Sequence, residues 1–153
     1  MNYDEMKFKD VKKIIHKEIY NRGKGIDCPC CGRKVKTNMR TITKVMADCL
    51  IKLYERNGRE WVHLEKWLKS QDDIDFSARG DIAKLCYWKL VEKQIKGNKF
   101  DTSVRCGIYR ITDIGIKFIS GDLEVRKYFW IYNKKIVDID CYEMININHC
   151  IKN

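Results

Sequence analysis

The sequence predicts an α+β fold, and three observations carry that expectation. Met39, Ile42, Val45, Met46, Cys49, Leu50, Leu53 and Tyr54 keep helical spacing without a break. Two short extended runs, Leu90–Ile95 and Val104–Ile111, flank a polar loop after a further helical stretch. A last aromatic segment, Lys127-Tyr-Phe-Trp-Ile-Tyr132, and Ile136-Val-Asp-Ile-Asp140 flank Asn133-Lys-Lys135 as a β-hairpin. The chain has 153 residues, one proline and no low-complexity stretch. One domain is therefore expected over residues 1–153: an N-terminal helix and cysteine loop (1–37), a central body (38–120) and a hairpin extension (121–153).

The first helix is expected over about Asp4–Tyr20, where Phe8, Val11, Ile15 and Ile19 form one apolar stripe before Asn21, Gly23 and Gly25. The second is expected over Asn38–Arg56, stopped by Asn57-Gly58, with Arg40 and Lys44 on its polar face. Trp61–Leu64 reads as a short strand, Glu65–Ser70 as a short helix, and 71–75 (QDDID) as a polar turn. Ser77 is placed as the N-cap of a third long helix through Val91, with Ile82, Leu85, Cys86 and Leu90 facing inward. After the strand–loop–strand, Thr112 caps a final short helix, DIGIKFISG. In the hairpin, Tyr128, Trp130 and Tyr132 share one strand face, and Phe129 and Ile131 share the other. Both faces are apolar enough to be covered, by the domain or by a second copy in a homodimer; core packing is the preferred role of these rings over base stacking.

Residues 25–36, GIDCPCCGRKVK, carry the densest chemistry. Cys28-x-x-Cys31 followed by Gly32 has zinc-knuckle spacing: two thiolates grip one ion while the glycine lets backbone amides approach the sulfurs. Structural zinc takes four ligands, and no second CxxC exists. His149 and Cys150, with Cys141 at the hairpin's end, are the candidates for the rest, which would clip the hairpin to the N-terminal region. Cys30 and Cys106 are further thiols. His16 is read as a surface residue and His63 as a satisfied, partly buried one. A metal-free turn held by packing is the competing reading; redox catalysis would need a thioredoxin-like setting that the pattern lacks.

The net charge is +10. Within residues 22–44, seven basic side chains (Arg22, Lys24, Arg33, Lys34, Lys36, Arg40, Lys44) face one acid, Asp27. A surplus so concentrated attracts phosphate-rich partners, against the plainer alternative of a solvated lysine-rich surface. The N-terminus has no uninterrupted apolar run, so neither a secretory signal nor a membrane span is expected there. Cys49 and Cys86 lie inside helical patterns rather than at loop staples, which favours a reducing cytoplasm. No nucleophile elbow, phosphate-binding glycine loop or His-Glu-x-x-His is present, and three scattered histidines leave little for acid–base catalysis, so an enzyme is not expected.

Trp61-Val-His-Leu, Ile82–Glu92 and Gly107–Ile119 follow an order that resembles the winged helix-turn-helix; the Tyr109-Arg-Ile-Thr strand running into a Thr-x-x-Gly helix is especially similar to the end of that fold. The resemblance spans roughly 38–120 and implies a scaffold, not a partner. With Cys28-Pro-Cys-Cys-Gly-Arg, Arg59-Glu-Trp-Val-His and Lys127–Asn133, the whole chain resembles small bacteriophage and prophage proteins that join such a knuckle to a winged helix. That implies a viral origin and supplies no activity. The expected function is a phage-encoded regulator that binds double-stranded DNA. Arg33, Lys34, Lys36, Arg40 and Lys44 would contact phosphates; Ser77, Arg79 and Lys84 on the third helix, and Lys96, Lys99 and Arg105 on the wing, would read sequence. Asp72, Asp73 and Asp75 stand where winged helices dock on DNA and would repel it. They support the alternative, a host-interaction or anti-defence protein that binds a host protein or nucleic-acid machine.

Overall fold

The computed structural model describes residues 8–18, 25–94, 107–132, 135–138 and 143–152. The fold mixes helices with small antiparallel sheets, as the α+β expectation requires. Its contacts divide the chain into two compact units, residues 1–41 with 128–142 and residues 42–127 with 143–153. Among the described residues, no helix is long and apolar enough to cross a membrane.

In the first unit, helix α1 spans Phe8–Glu18 and buries Val11 from its apolar stripe. Strands β1 (Ile26–Asp27) and β2 (Lys34–Val35) pair antiparallel and frame the cysteine turn. Gly25 at φ +64° brings the chain against the Val35 carbonyl, where a Cβ would collide with that oxygen. Strand β3 (Asn38–Thr41), β8 (Tyr128–Tyr132) and β9 (Lys135–Asp138) form a three-stranded antiparallel sheet with β8 at its centre. The predicted hairpin is therefore present as β8 and β9, with a register irregularity at Trp130/Ile131.

β3 corrects the sequence reading. Residues 38–41 are not the first turn of a helix; they pair along their length with Tyr128–Ile131. The helix starts three residues after the strand ends, at Lys44, because Thr43 in extended conformation caps it: its hydroxyl accepts the Met46 amide at 3.3 Å. Met39 matched the helical period by coincidence of spacing and is instead 49% exposed on the strand. Hydrogen bonding to a segment about ninety residues away overrode local periodicity, which carries no information about such a partner.

The second unit is built on helix α2 (Lys44–Asn57), which buries Met46, Ala47, Cys49, Leu50 and Leu53 and stops at Gly58 with φ +58°. Strand β4 (Val62–His63) leads into α3 (Leu64–Lys69), then a 3-10 turn at 76–78, α4 (Arg79–Lys84), a second 3-10 turn at 85–88, and strands β5 (Val91–Lys93) and β6 (Ile108–Ile111). The sheet order is β4-β6-β5, all antiparallel, with His63 opposite Ile108 and Val91 opposite Ile111. The expected long third helix is thus an α-helical segment between two 3-10 turns. Ser77 is not its cap: Asp75 accepts the Ser77 amide at 2.8 Å and starts the first turn, while Lys89 at φ 59° ends the second. Ile82, Leu85 and Leu90 are buried as expected, and Cys86 is half-buried.

Helix α5 (Asp113–Ile119) follows β6 directly, and Thr112 caps it as predicted, accepting the Gly115 amide at 3.0 Å. The same hydroxyl donates to the Lys89 carbonyl at 2.5 Å, with the Leu90 carbonyl at 3.2 Å, which fixes the helix to the end of the second 3-10 segment. Strands β7 (Val125–Arg126) and β10 (Met144–Ile145) pair antiparallel, and α6 (Ile147–Lys152) packs on α2. The Trp88 indole donates to the Arg126 carbonyl at 2.8 Å. Ile145, Ile147 and Cys150 are buried there, so β10 and α6 contribute to the core of this unit.

Candidate functional site

The knuckle is a closed turn held by two backbone hydrogen bonds. The Cys28 amide donates to the Arg33 carbonyl and the Gly32 amide to the Cys28 carbonyl, each at 2.8 Å. Gly32 sits at φ +71°, a conformation that an L side chain resists. Backbone amides of Cys30 and then Cys31 donate toward the Cys28 sulfur and hold its thiol below the usual range. Desolvation, and next the Cys28 charge, push Cys30 up. A turn that aims amides at one sulfur favours a thiolate, the form that binds soft metals.

The completing ligands are a different matter. Cys141 and Cys106 lie outside the described residues. His149 and Cys150 belong to α6 in the other unit, and both are locally engaged. Asn146 caps that helix, its Oδ1 accepting the Asn148 amide at 3.0 Å and lying 3.0 Å from His149 Nδ1. Cys150 is buried, and burial raises its thiol pKa. Among the described residues, no group of three or more His, Cys, Asp or Glu side chains is arranged to hold a metal ion. Cys28 and Cys31 in the turn thus supply at most half of a four-ligand site. His63 is half-buried and occupied, its Nδ1 accepting the Lys66 amide at 3.4 Å as the cap of α3. His16 lies in α1.

The basic residues divide sharply by environment. Arg33, Lys34, Lys36 and Arg40 are exposed and form no ion pair among the described residues. Arg33 and Lys34 follow the knuckle, with Lys34 in β2; Lys36 lies between β2 and β3; Arg40 is on β3 rather than on a helix. Lys44 is exposed at the first position of α2, in the second unit. The cations expected on the reading helix have partners instead. Arg79 pairs with Glu65 at 3.3 Å and Lys84 with Asp81 at 3.1 Å. Ser77 is exposed, its amide spent on Asp75. Lys96, Lys99 and Arg105 lie outside the described residues.

One carboxylate of the acidic turn, Asp73, is neutralised by cations of α2, which the sequence did not reveal. Arg56, in the last turn of α2, makes a bidentate contact with Asp73 at 2.9 and 2.7 Å, and its guanidinium also reaches Gln71 at 2.6 Å. Lys52 adds a contact at 3.3 Å. Arg56 first, with Lys52 behind it, holds the Asp73 carboxyl far below its ordinary range. Asp75 is lowered by the Ser77 amide. Asp72 alone of the three forms neither contact.

Comparison of the chain with protein-family models, with curated proteins and with solved structures gives no match.

Proposed function

We propose that this chain is a DNA-binding protein built on a winged helix, acting as a regulator, whose main phosphate-contacting surface is the knuckle and β3 rather than the α4 helix. The observation that carries the proposal is the contrast in charge pairing: Arg33, Lys34, Lys36 and Arg40 are exposed without ion pairs among the described residues, whereas Arg79 and Lys84 are tied to acids of their own unit. An unpaired surface cation can meet a phosphate without first giving up an intramolecular partner. Each such contact releases a condensed counterion, which is the main source of sequence-independent affinity.

The winged-helix part rests on order and pairing. Three helical segments, α2, α3 and α4, precede β5 and β6, and the strand after the first helix pairs with the last strand to give β4-β6-β5. The alternative of a host-protein partner rests on the acidic turn and the aromatic hairpin. With Asp73 held by Arg56 and Lys52, that turn offers a partner two carboxylates outside any ion pair among the described residues, Asp72 and Asp75, rather than three.

Zn2+ bound through Cys28 and Cys31 would fix the turn from which Arg33 and Lys34 project, a structural role, with Cys141 as the candidate to complete the ligand set. The functional reading is tested by fluorescence anisotropy of a labelled duplex with the full chain at low salt. Binding that weakens steeply as salt rises is the expected result; no detectable binding at low salt refutes it.

A further inference from the structure

Strand β8 buries the wrong face for a purely structural aromatic strand. Phe129 is 8% exposed and Ile131 6%, so the covered side is the one carrying the phenylalanine and the isoleucine. Tyr128, Trp130 and Tyr132 point to the opposite side and are each only half-buried. Across the ladder, Trp130 stands opposite Met39 and Tyr128 opposite Thr41, which places Met39 and Thr41 on that same half-buried face. Tyr128 and Trp130 stack edge to face, their centroids 6.3 Å apart and their planes at 82°. The result is a row of three rings on the central strand of a three-stranded sheet, with an exposed methionine beside it.

Charge lies along the same small unit. Arg33, Lys34 and Lys36 lead up to β3, one edge of the sheet, where Arg40 stands opposite Phe129 and so on the other face; Lys135, at the start of β9 and opposite Tyr132, is exposed at the other edge on the ring side. Across residues 25–41 those first four cations face one carboxylate, Asp27. A sheet with rings at its centre, an exposed cation at the β9 edge of the same face and three more cations in the segment that leads into β3 matches the two requirements of an unpaired nucleic-acid strand: stacking partners for its bases and counter-charges for its phosphates. A duplex keeps its bases stacked inside and can use only the charges.

We infer that the Tyr128–Trp130–Tyr132 face of this sheet is a stacking platform for single-stranded nucleic acid. The inference rests on the nucleic-acid reading of the basic surface and adds the strand form that the sheet would hold.

The test titrates oligo-dT, and separately a mixed-sequence duplex, into the full chain at low salt, reading intrinsic tryptophan fluorescence and the anisotropy of labelled DNA. The signal of Trp130 is the difference between wild type and Trp130→Phe. The expected result is that oligo-dT quenches this signal and that Trp130→Phe, which keeps a ring, still binds oligo-dT. Trp130→Leu is expected to lose about 5- to 150-fold in single-strand affinity, the range for one stacked base, while duplex affinity is unchanged. Absence of quenching in the wild type overturns the inference, and so does an equal loss for both DNAs in Trp130→Leu. If Trp130→Leu does not fold, the quenching difference between wild type and Trp130→Phe decides alone. Duplex binding without single-strand quenching removes the platform and leaves the basic surface standing; binding to neither removes both. A concentration-dependent dimer that shields Trp130 from a soluble quencher also overturns the inference, because a second copy then covers the face.

Discussion

Replacing Gly115 with alanine is expected to destabilise the protein, against the usual sign for glycine in a helix. Gly115 lies in α5, where alanine ordinarily gains about 1 kcal/mol over glycine through chain entropy. Here the added Cβ would overlap the Leu90 carbonyl oxygen and stand 2.7 Å from Ile111 Cγ1. The carbonyl belongs to backbone that also accepts the Thr112 amide at 3.0 Å, so it cannot swing aside cheaply. Overpacking of this kind costs about 1–3 kcal/mol. With the propensity gain subtracted, the net loss is up to about 2 kcal/mol, or a fall in Tm of about 2–4 °C for each kcal/mol. Gly80 supplies the control. It sits inside α4, its φ is not positive, and a Cβ there meets nothing within 4 Å. Gly80→Ala is expected to stabilise by about 0.5–1 kcal/mol. Urea denaturation of both variants, with m unchanged, reads the two signs. Stabilisation by Gly115→Ala would mean that α5 does not lie against the end of the 85–88 turn, and the arrangement of β4, β6, β5 and α5 would have to be redrawn.

Two further outcomes follow from the cysteines. Purified protein is expected to carry stoichiometric zinc by elemental analysis and to lose it in Cys28→Ser; wild type without zinc contradicts the thiolate half-site. Cys49 is buried in α2, and burial first, then the Asp48 charge, raises its thiol from 9.0 to about 11. A folded pKa above the unfolded one means that this contribution is complete below about pH 9 and is lost as pH rises through about 11. The stability difference between wild type and Cys49→Val should therefore be flat up to pH 9 and shift against wild type above it; a flat difference up to pH 11 contradicts the buried-thiol account.

What the sequence made legible were the features set by neighbouring residues. The Thr112 cap with Gly115 three residues on, the short α3, the β8–β9 hairpin and the inward faces of α2 and α4 all follow from spacing and local hydrogen bonding. Asn38–Thr41 was misread because its strand character comes from β8, far along the chain, while its local period imitates a helix. Ser77 has the residue type of a cap, but Asp75, two residues earlier, has the better acceptor and the right reach. At the candidate site the positive run at 33–40 was readable, since it needs only composition. Which cations are unpaired was not. Glu65 lies 14 residues from Arg79 and Asp73 lies 17 from Arg56, so folding alone brings them together. Asp73 was thus counted as a repulsive charge although α2 neutralises it. The aromatic alternation of β8 was visible, but which side would be buried depended on the sheet it joins.

The most direct test of the account compares salt dependences of duplex binding. Arg33, Lys34 and Lys36 replaced together by glutamine should lower the slope of log K against log salt by about 2.7, at about 0.9 for each phosphate no longer neutralised. Arg79→Gln with Lys84→Gln removes cations already paired with Glu65 and Asp81 and should change that slope by less than about 1. The account predicts that ordering. The reverse, a slope unaffected by the knuckle residues and reduced by the α4 pair, would contradict it and return the phosphate-binding surface to the helix.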